Sequence, residues 1–358
     1  MNTRTPVLLV LLLAMASPRT VTAGAKDTWV DTSQHKMGAV KANGIKLAYL
    51  DWGGSGPPLI LLAGAEDTAH VYDEFGPKLA YHFHVIGLTR RGFGQSDKPN
   101  SGYDVETLVE DIHKTLLELK LKRVILAGHG IAGCEMTRLA IKYPDDVDKL
   151  VYLDAAYDRT HLLEISARQP AQPAPSMDDE KSLIVYLKWL KKTRPIWSPA
   201  CEASYRDTRD PTPGFNFHTS TPAFVPGELL KGSLVFHPDY ARIKCPILAF
   251  FAFDNQAEAR WLAQMPRQPA DVKGQERKYL DRVNEDVRRQ IESLKAASKD
   301  AQVVELQDTV HYCFIQNDGE VIRQMLVFLN TKPGAAPAAS PVADSGASAA
   351  PAPVVGTK

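Results

Sequence analysis

Two kinds of segment take turns along the chain. Short segments are apolar at every position, and longer segments are apolar only at positions that would share one face of a helix. Residues 58–63 form an uninterrupted apolar run, which is typical of a strand buried on both faces of a sheet. Residues 105–119 instead place Leu108, Ile112 and Leu116 at helical spacing, as in a helix that packs on one face. Because the two patterns follow each other repeatedly, we predict an α/β fold with a mostly parallel, doubly wound sheet.

The same pattern gives the order of the predicted elements. Strands are predicted at 38–41, 45–52, 58–63, 84–89, 124–127, 149–153, 245–253 and 301–306. Helices are predicted at 70–80, 105–119, 179–192, 275–297 and 320–330. One more helix is predicted to begin at the glycines that follow residue 127 and to end at residue 143. Asn43 and Gly44 are a hairpin-turn signal between the first two strands.

Composition divides the chain into a core, an insertion and two termini. Residues 159–240 contain prolines, aromatics and a single clear helix but no strong strand. We therefore predict a helical lid there, inserted between a first part of the core, 24–158, and a second part, 241–330. Residues 331–358 are rich in Ala, Pro, Ser and Gly and lack the apolar surface needed for folding, so we predict a disordered tail.

The first residues of the chain have the composition of a secretory signal peptide. Arg4 gives a positive start, residues 6–16 form an apolar core, and Val21 and Ala23 are the small residues that precede a cleavage site. We therefore expect residues 1–23 to be removed and the mature protein to be periplasmic or extracellular. An uncleaved anchor is the alternative, although the apolar stretch is short for crossing a bilayer.

Charge and cysteine content bear on the partners of the protein. The 42 basic residues balance 42 acidic ones, so nothing indicates binding to nucleic acid or to an anionic membrane. The cysteines form no C-x-x-C pair, which gives no support to a zinc or redox motif; they are Cys134, Cys201, Cys245 and Cys313. Export is compatible with one disulfide, but the spacing chooses no pairing. We expect no metal ion and no cofactor, and the sequence leaves the oligomeric state open.

The stretch from Gly128 to Gly133 follows an apolar strand and opens a helix, which is the setting of the nucleophile elbow G-x-S-x-G. Glycine stands at the nucleophile position, Gly130, so no side chain there can attack a carbonyl. The same letters also spell G-x-G-x-x-G, the dinucleotide fingerprint, with Asp154 as the acid after the next strand. A dinucleotide-binding domain places this fingerprint after its first strand, whereas here it follows the fifth.

Further motifs occur in order along the chain and favour the elbow interpretation. They are Leu61-Leu-Ala-Gly64, Thr89-Arg-Arg-Gly-Phe-Gly-Gln-Ser96, Ala127-Gly-His-Gly-Ile-Ala-Gly133, Tyr152-Leu-Asp-Ala-Ala156 and a late His311. Together they resemble the α/β-hydrolase superfamily over residues 40–330. Within that superfamily the chain is similar to secreted bacterial members related to small esterases and acyl hydrolases.

The resemblance implies a role for each matching position. Gly130 takes the place of the nucleophile, His311 is the general base, and Asp254 is the acid. Asp158 is the alternative acid, because some family members carry theirs after the sixth strand. The structural alternatives are that His311 is an ordinary loop residue and that Asp254 caps a helix.

The resemblance also implies an oxyanion hole formed by the backbone N–H groups of Ile131 and Ala65. Cys134 lies one helical turn after the elbow, so we expect it inside the fold and not at the nucleophile position. The aromatic residues of the predicted lid fit either a lid core or the wall of a ligand pocket. They are Trp189, Trp197, Tyr205, Phe215, Phe217 and Phe224.

These features leave three functions open. The first is an ester or acyl hydrolase that is weak or inactive as a serine hydrolase, because its serine is replaced by Gly130. The second is a non-catalytic protein that binds a small apolar ligand on the same fold. The third, which the motif order disfavours, is a dinucleotide-binding oxidoreductase. In the first two, the partner is a small acyl or ester-like molecule.

Overall fold

A computed structural model describes residues 29–180, 182–209 and 219–330 of the chain. The predicted signal peptide, the predicted tail, and Phe215 and Phe217 of the lid lie outside these residues, so those expectations remain predictions. Within the described part of the chain, no helix is both long enough and apolar enough to cross a membrane.

Eight strands of the described residues form one sheet in the order β1-β2-β4-β3-β5-β6-β7-β8. The strands are β1 Lys36–Ala42, β2 Ile45–Gly53, β3 Pro58–Leu62, β4 His84–Leu88, β5 Val124–His129, β6 Val147–Leu153, β7 Ile247–Phe253 and β8 Gln302–Gln307. β2 runs antiparallel to both β1 and β4, whereas all other pairs are parallel. The predicted α/β fold with a mostly parallel sheet is therefore confirmed.

Helices cover both faces of this sheet and also fill the segment between β6 and β7. They are α1 Gly76–Leu79, α2 Val105–Glu118, α3 Ala132–Lys142, α4 Leu162–Ser166, α5 Leu183–Thr193, α6 Pro199–Asp207, α7 Val225–Leu234, α8 Ala257–Gln264, α9 Ala270–Ala297, α10 Cys313–Gln316 and α11 Asp318–Asn330. Two 3₁₀ helices, Ala69–Tyr72 and Tyr240–Arg242, complete the described set. One apolar cluster joins the sheet to α2, α3 and α9, and a second joins its other face to α1, α10 and α11.

Local sequence explains several of these boundaries. The Asp104 side chain accepts a hydrogen bond from the Thr107 backbone N–H and caps α2. Ser182 and Ser198 cap α5 and α6 in the same way, and Pro199 follows the second cap at the first helical position. These caps show why the polar residue before each amphipathic run marks the start of its helix.

The continuous helix predicted at 70–80 is wrong. The structure has the 3₁₀ helix Ala69–Tyr72, a break, and then the short α1. Pro77 accounts for a new helix start here, because its missing backbone N–H is tolerated in the first turn of α1, whereas a helix continuing from Tyr72 would need that donor. The segment 159–240 also contains more helix than its sequence pattern indicated, with α4, α6 and α7 in addition to α5.

The parallel strands determine where a site can form. β3, β5, β6, β7 and β8 all point the same way, so the loops that follow them emerge at one edge of the sheet. The segment between β6 and β7 approaches this edge, because Val225 and Leu229 of α7 pack with Ile131 at the start of α3. The division into core and lid domains remains a prediction.

Candidate active site

The turn between β5 and α3 has the backbone geometry of a nucleophile elbow. Gly130 has φ of +58°, in the left-handed region that side-chain-bearing residues rarely adopt. Three residues later, an added Cβ on Gly133 would lie 1.8 Å from the carbonyl oxygen of Ala155, so only glycine lets α3 start this close to the end of β6. The strained turn and the close helix contact are both present although the nucleophile is absent.

His311 faces the empty position. A Cβ built on Gly130 would lie 3.2 Å from His311 Nε2, closer than to any other atom of the described residues apart from its own chain neighbours. His311 sits between β8 and α10, in a loop held by the bond from the Val310 N–H to the Gln316 side chain and by the bond from the Thr309 N–H to the Phe253 carbonyl. The structure thus brings together the two positions predicted for nucleophile and base.

Asp154 is the partner of His311. Its Oδ2 lies 2.5 Å from His311 Nδ1, while its Oδ1 accepts hydrogen bonds from the Ala252 N–H at 3.0 Å and from the Tyr157 hydroxyl. The Asp154 side chain is buried and the His311 side chain is half exposed, at 7% and 50% of their full areas. The three donors hold the carboxylate in place, and its bond to Nδ1 fixes the orientation and tautomer of the imidazole, which leaves Nε2 to face Gly130.

The predicted contact between His311 and Asp254 is not present. Asp254 instead pairs with Arg260 on α8, the helix that begins just after it. The side chain does not cap that helix, whose N-cap residue is Gln256. Asp254 therefore belongs to a local ion pair at the end of β7.

Asp158, the alternative acid, is also engaged elsewhere. Its Oδ1 accepts bonds from the backbone N–H and the hydroxyl of Thr160, and its Oδ2 lies 3.5 Å from His237 Nδ1. Burial alone would raise the pKa of Asp158, but these hydrogen bonds and His237 outweigh it and lower the pKa. Both acid candidates are thus placed away from His311.

Arg90 holds the loop after β3 against the elbow helix. Its guanidinium donates to the carbonyl oxygens of Ala63 and Gly64 and forms a buried ion pair with Glu135 of α3 at 2.7 Å. The Cα of Gly64 lies 3.8 Å from the position of a Cβ on Gly130. The chain segments that carry the two predicted oxyanion donors, Ala65 and Ile131, therefore meet at the elbow.

His129 is a buried imidazole directly beneath the pair. Its Nε2 lies 3.2 Å from the carbonyl oxygen of His311, and the two rings are 4.2 Å apart between centroids. Burial, and then the charge of His311, hold the pKa of His129 well below its usual value. A neutral His129 that carries its proton on Nε2 donates to the His311 carbonyl and supports the loop.

The loop after β3 brings a further acidic group, Asp67, which the sequence interpretation did not single out. Its Oδ2 accepts a hydrogen bond from the Tyr312 hydroxyl at 3.0 Å. Burial raises the pKa of Asp67 to about 6, although Tyr312 and the positive Arg194 act in the opposite direction. Thr68, the next residue, donates its backbone N–H to the Ser204 hydroxyl, which fixes this loop to α6.

The lid aromatics pack mainly on one another. Trp189, Trp197 and Tyr205 surround Leu183, Leu187 and Leu190 in one cluster, which fits the lid-core interpretation. Phe224 is partly exposed and contacts the edge of Tyr103.

All four cysteines lie in the described residues and are free thiols. Cys134 is buried inside α3, and burial raises the pKa of its thiol. It therefore cannot serve as a substitute nucleophile.

Comparisons with known proteins agree with this geometry. A family model described as alpha/beta hydrolase fold matches residues 57–184, which include β3 and the elbow. A crystal structure of E-2-(acetamidomethylene)succinate hydrolase superposes on this chain with a TM-score of 0.62 at 20% sequence identity. The superposition covers 83% of this chain and 100% of that enzyme. The chain therefore has the α/β-hydrolase fold, and residues 57–184 match the model of that family.

Sequence relatives match over the first part of the core. The AB hydrolase superfamily protein YisY of Bacillus subtilis is 38% identical over 108 residues, which are 29% of this chain and 39% of that protein. The 2-(acetamidomethylene)succinate hydrolase of Mesorhizobium japonicum is 30% identical over 135 residues, 37% of this chain and 49% of that enzyme. The chain thus aligns with less than half the length of these curated relatives.

The site does not fit the dinucleotide interpretation of the glycine motif. The motif follows the fifth strand of the sheet, and the Asp154 carboxylate is used by His311, Ala252 and Tyr157. A ribose-binding acid needs free carboxylate oxygens. The arrangement instead offers a base with a fixed tautomer beside a strained turn.

Proposed function

We propose that this protein is an ester- or acyl-hydrolase-like member of the α/β-hydrolase superfamily. It forms no acyl-enzyme and hydrolyses its substrate slowly, through a water molecule that His311 activates. The observation that carries this proposal is the 3.2 Å separation between His311 Nε2 and the Cβ position of Gly130, together with the bond from His311 to Asp154. Base and acid remain assembled around the missing side chain. A protein that only bound a ligand would have no need of that pair.

The chemistry follows from these positions. His311 Nε2 accepts a proton from a water molecule in the space that a serine side chain would fill, and the water oxygen attacks the carbonyl carbon of the ligand. The carbonyl oxygen becomes an oxyanion that the N–H groups of Ile131 and Ala65 stabilise. His311 then returns the proton to the leaving oxygen, which yields an acid and an alcohol, while Asp154 keeps the imidazole oriented.

The expected rate is low. Hydrolases stripped of a triad nucleophile retain roughly 10³–10⁴-fold acceleration over water, which comes from binding and the oxyanion hole. The alternative, favoured by the missing hydroxyl itself, is a protein that binds a small ligand without turnover. We also propose export of the protein, on the basis of the N-terminal sequence pattern.

The test compares the protein with Gly130→Ser, each with and without His311→Ala, on short and medium acyl nitrophenyl esters. We expect a slow turnover that His311→Ala lowers to the level left by binding and the oxyanion hole, no labelling of the protein by a fluorophosphonate, and labelling of Gly130→Ser. Two results together would favour a protein that binds a ligand without turnover. The parent protein would hydrolyse the ester no faster than buffer does, and a folded Gly130→Ser variant would neither react with the fluorophosphonate nor hydrolyse the ester.

A further inference from the structure

A second cluster of ionisable side chains lies apart from the His311–Asp154 pair. Asp31 and His35 come from the segment before β1, and His70 and Asp73 come from the 3₁₀ helix after β3 and the residue that follows it. One donor atom from each residue can be chosen so that all of them lie within 4.8 Å of one another. Sequence patterns do not indicate this cluster, because its two halves are separated by more than thirty positions.

Individual distances in the cluster approach those around a bound ion. His35 Nδ1 and His70 Nδ1 lie 3.0 Å and 2.7 Å from the two carboxylate oxygens of Asp73. Asp31 Oδ2 lies 3.5 Å from His70 Nδ1 and 3.9 Å from His35 Nε2. Zinc bonds of about 2.0–2.1 Å in a tetrahedron place neighbouring donor atoms roughly 3.3 Å apart. The four separations, from 2.7 to 3.9 Å, lie on either side of that spacing.

The cluster is buried and rich in negative charge. The side chains of His35, His70 and Asp73 retain only 6%, 9% and 2% of their exposed areas. Among the residues that the structure describes, neither Asp31 nor Asp73 forms an ion pair with a lysine or arginine. The Asp73 carboxylate is buried and that of Asp31 is 28% exposed, and two carboxylates this close together need positive charge nearby, which a divalent ion or protonated imidazoles would supply.

Outer contacts hold the ligands in place. The Trp52 indole N–H donates to Asp73 Oδ1 at 3.2 Å, and the Ser33 backbone N–H donates to Asp31 Oδ1 at 2.9 Å. Hydrogen bonds of this kind orient ligating carboxylates in metalloproteins.

We propose that Asp31, His35, His70 and Asp73 bind one zinc ion. Two imidazoles and two carboxylates are a donor set that zinc accepts, whereas magnesium and calcium prefer oxygen donors alone. The ion fastens the segment before β1 to the 3₁₀ helix Ala69–Tyr72, which follows the loop of Ala65 and Asp67. Trp29, in the same segment, stacks on Arg206 of the lid at 4.9 Å, so the fastened segment also contacts the lid.

The test uses the full chain, produced without a histidine tag and freed of metal with a chelator. Calorimetric titration with zinc chloride should show one equivalent bound per chain, and zinc should raise the melting temperature because it binds the folded state only. Magnesium and calcium should leave both measurements unchanged. Cobalt(II) in place of zinc should give the visible absorption of a tetrahedral site.

Variants assign the binding to these residues. His70→Gln should weaken zinc binding by more than about 100-fold, the upper end of the loss caused by changing outer contacts alone. His35→Gln is a second variant for the case that His70→Gln does not fold, because His35 precedes the sheet. His84→Gln is the matched control, since His84 pairs with Asp51 outside the cluster.

Two results would overturn the proposal. The first is that the folded, metal-free protein binds no zinc at stoichiometric concentration. The cluster would then be held together by hydrogen bonds and protonated imidazoles, without a metal ion. The second is equal zinc affinity in His35→Gln, His70→Gln and His84→Gln.

Discussion

His311 Nδ1 lies 2.5 Å from Asp154 Oδ2, a contact between residues 157 positions apart that fixes the imidazole toward Gly130. The pair resembles the base and acid of a catalytic triad from which only the nucleophile is missing. Its acid is at the end of β6, not at the end of β7 where the sequence prediction placed it. The predictions below follow from this pair and from the chain around it.

Asp154, and not Asp254, should control any activity gained by Gly130→Ser. In that background Asp154→Asn should lower kcat by about 10²–10⁴-fold, because the imidazole loses its tautomer and its charge partner. Asp254→Asn is the matched control and should leave kcat unchanged, since Asp254 pairs with Arg260. Steady-state hydrolysis of a nitrophenyl ester measures both, and an equal loss in the two variants would contradict the assignment.

Restoring the serine should cost stability. Gly130 has a left-handed φ of +58°, and a new Cβ would lie 3.2 Å from His311 Nε2, so the imidazole must move by a few tenths of an ångström. We expect Gly130→Ser to lower the free energy of unfolding by about 1–3 kcal/mol, as measured by urea denaturation. Gly130→Ala should lose a similar amount and gain no activity, which separates backbone strain from chemistry.

Gly133 should tolerate no side chain. A Cβ there would meet the backbone carbonyl of Ala155 at 1.8 Å, and backbone cannot rotate aside as a side chain can. We expect Gly133→Ala to lower the free energy of unfolding by about 1–3 kcal/mol or more. Gly274→Ala in α9 is the control, because no atom lies within 4 Å of its added Cβ. That variant should instead gain up to about 1 kcal/mol from better helix propensity.

Asp67 should reduce stability above neutral pH. Burial raises its pKa to about 6 in the folded protein, from 3.8 when unperturbed, so the folded state binds the extra proton between these values. Stability therefore falls as pH rises from about 4 to 6, and the penalty persists above that range. Asp67→Asn should raise the free energy of unfolding at pH 7.5 by roughly 1–3 kcal/mol and have little effect below pH 4.

The measurement for Asp67 is urea denaturation at a series of pH values. Asn keeps an oxygen that accepts the Tyr312 hydroxyl, so the hydrogen bond at this position remains. Asp300→Asn, at an exposed position, is the control and should not change the pH dependence. A stability curve for Asp67→Asn parallel to that of the parent protein at all pH values would refute the assignment.

Sequence periodicity predicted most of the sheet but not the helix boundaries around it. The apolar runs at β3 and β5 are buried throughout, and this is the property that made them recognisable. The helix at 70–80 failed because its periodicity continued across residues 73–75, where the first helix has ended and α1 has yet to begin at Gly76 and Pro77. The segment 159–240 was harder still, because its helices are short and α7 is held by contacts to a distant part of the chain, at Ile131.

The sequence by itself determined the order of the motifs, the position of the turn after β5 and the glycine at position 130, because these depend on neighbouring residues along the chain. Only the tertiary structure decided which carboxylate meets His311. Asp154, Asp158 and Asp254 all follow the ends of two neighbouring parallel strands, so chain order admits each of them. The choice depends on where each side chain points, and a left-handed backbone at Asp154, with φ of +50°, accompanies the one arrangement in which the carboxylate reaches the imidazole.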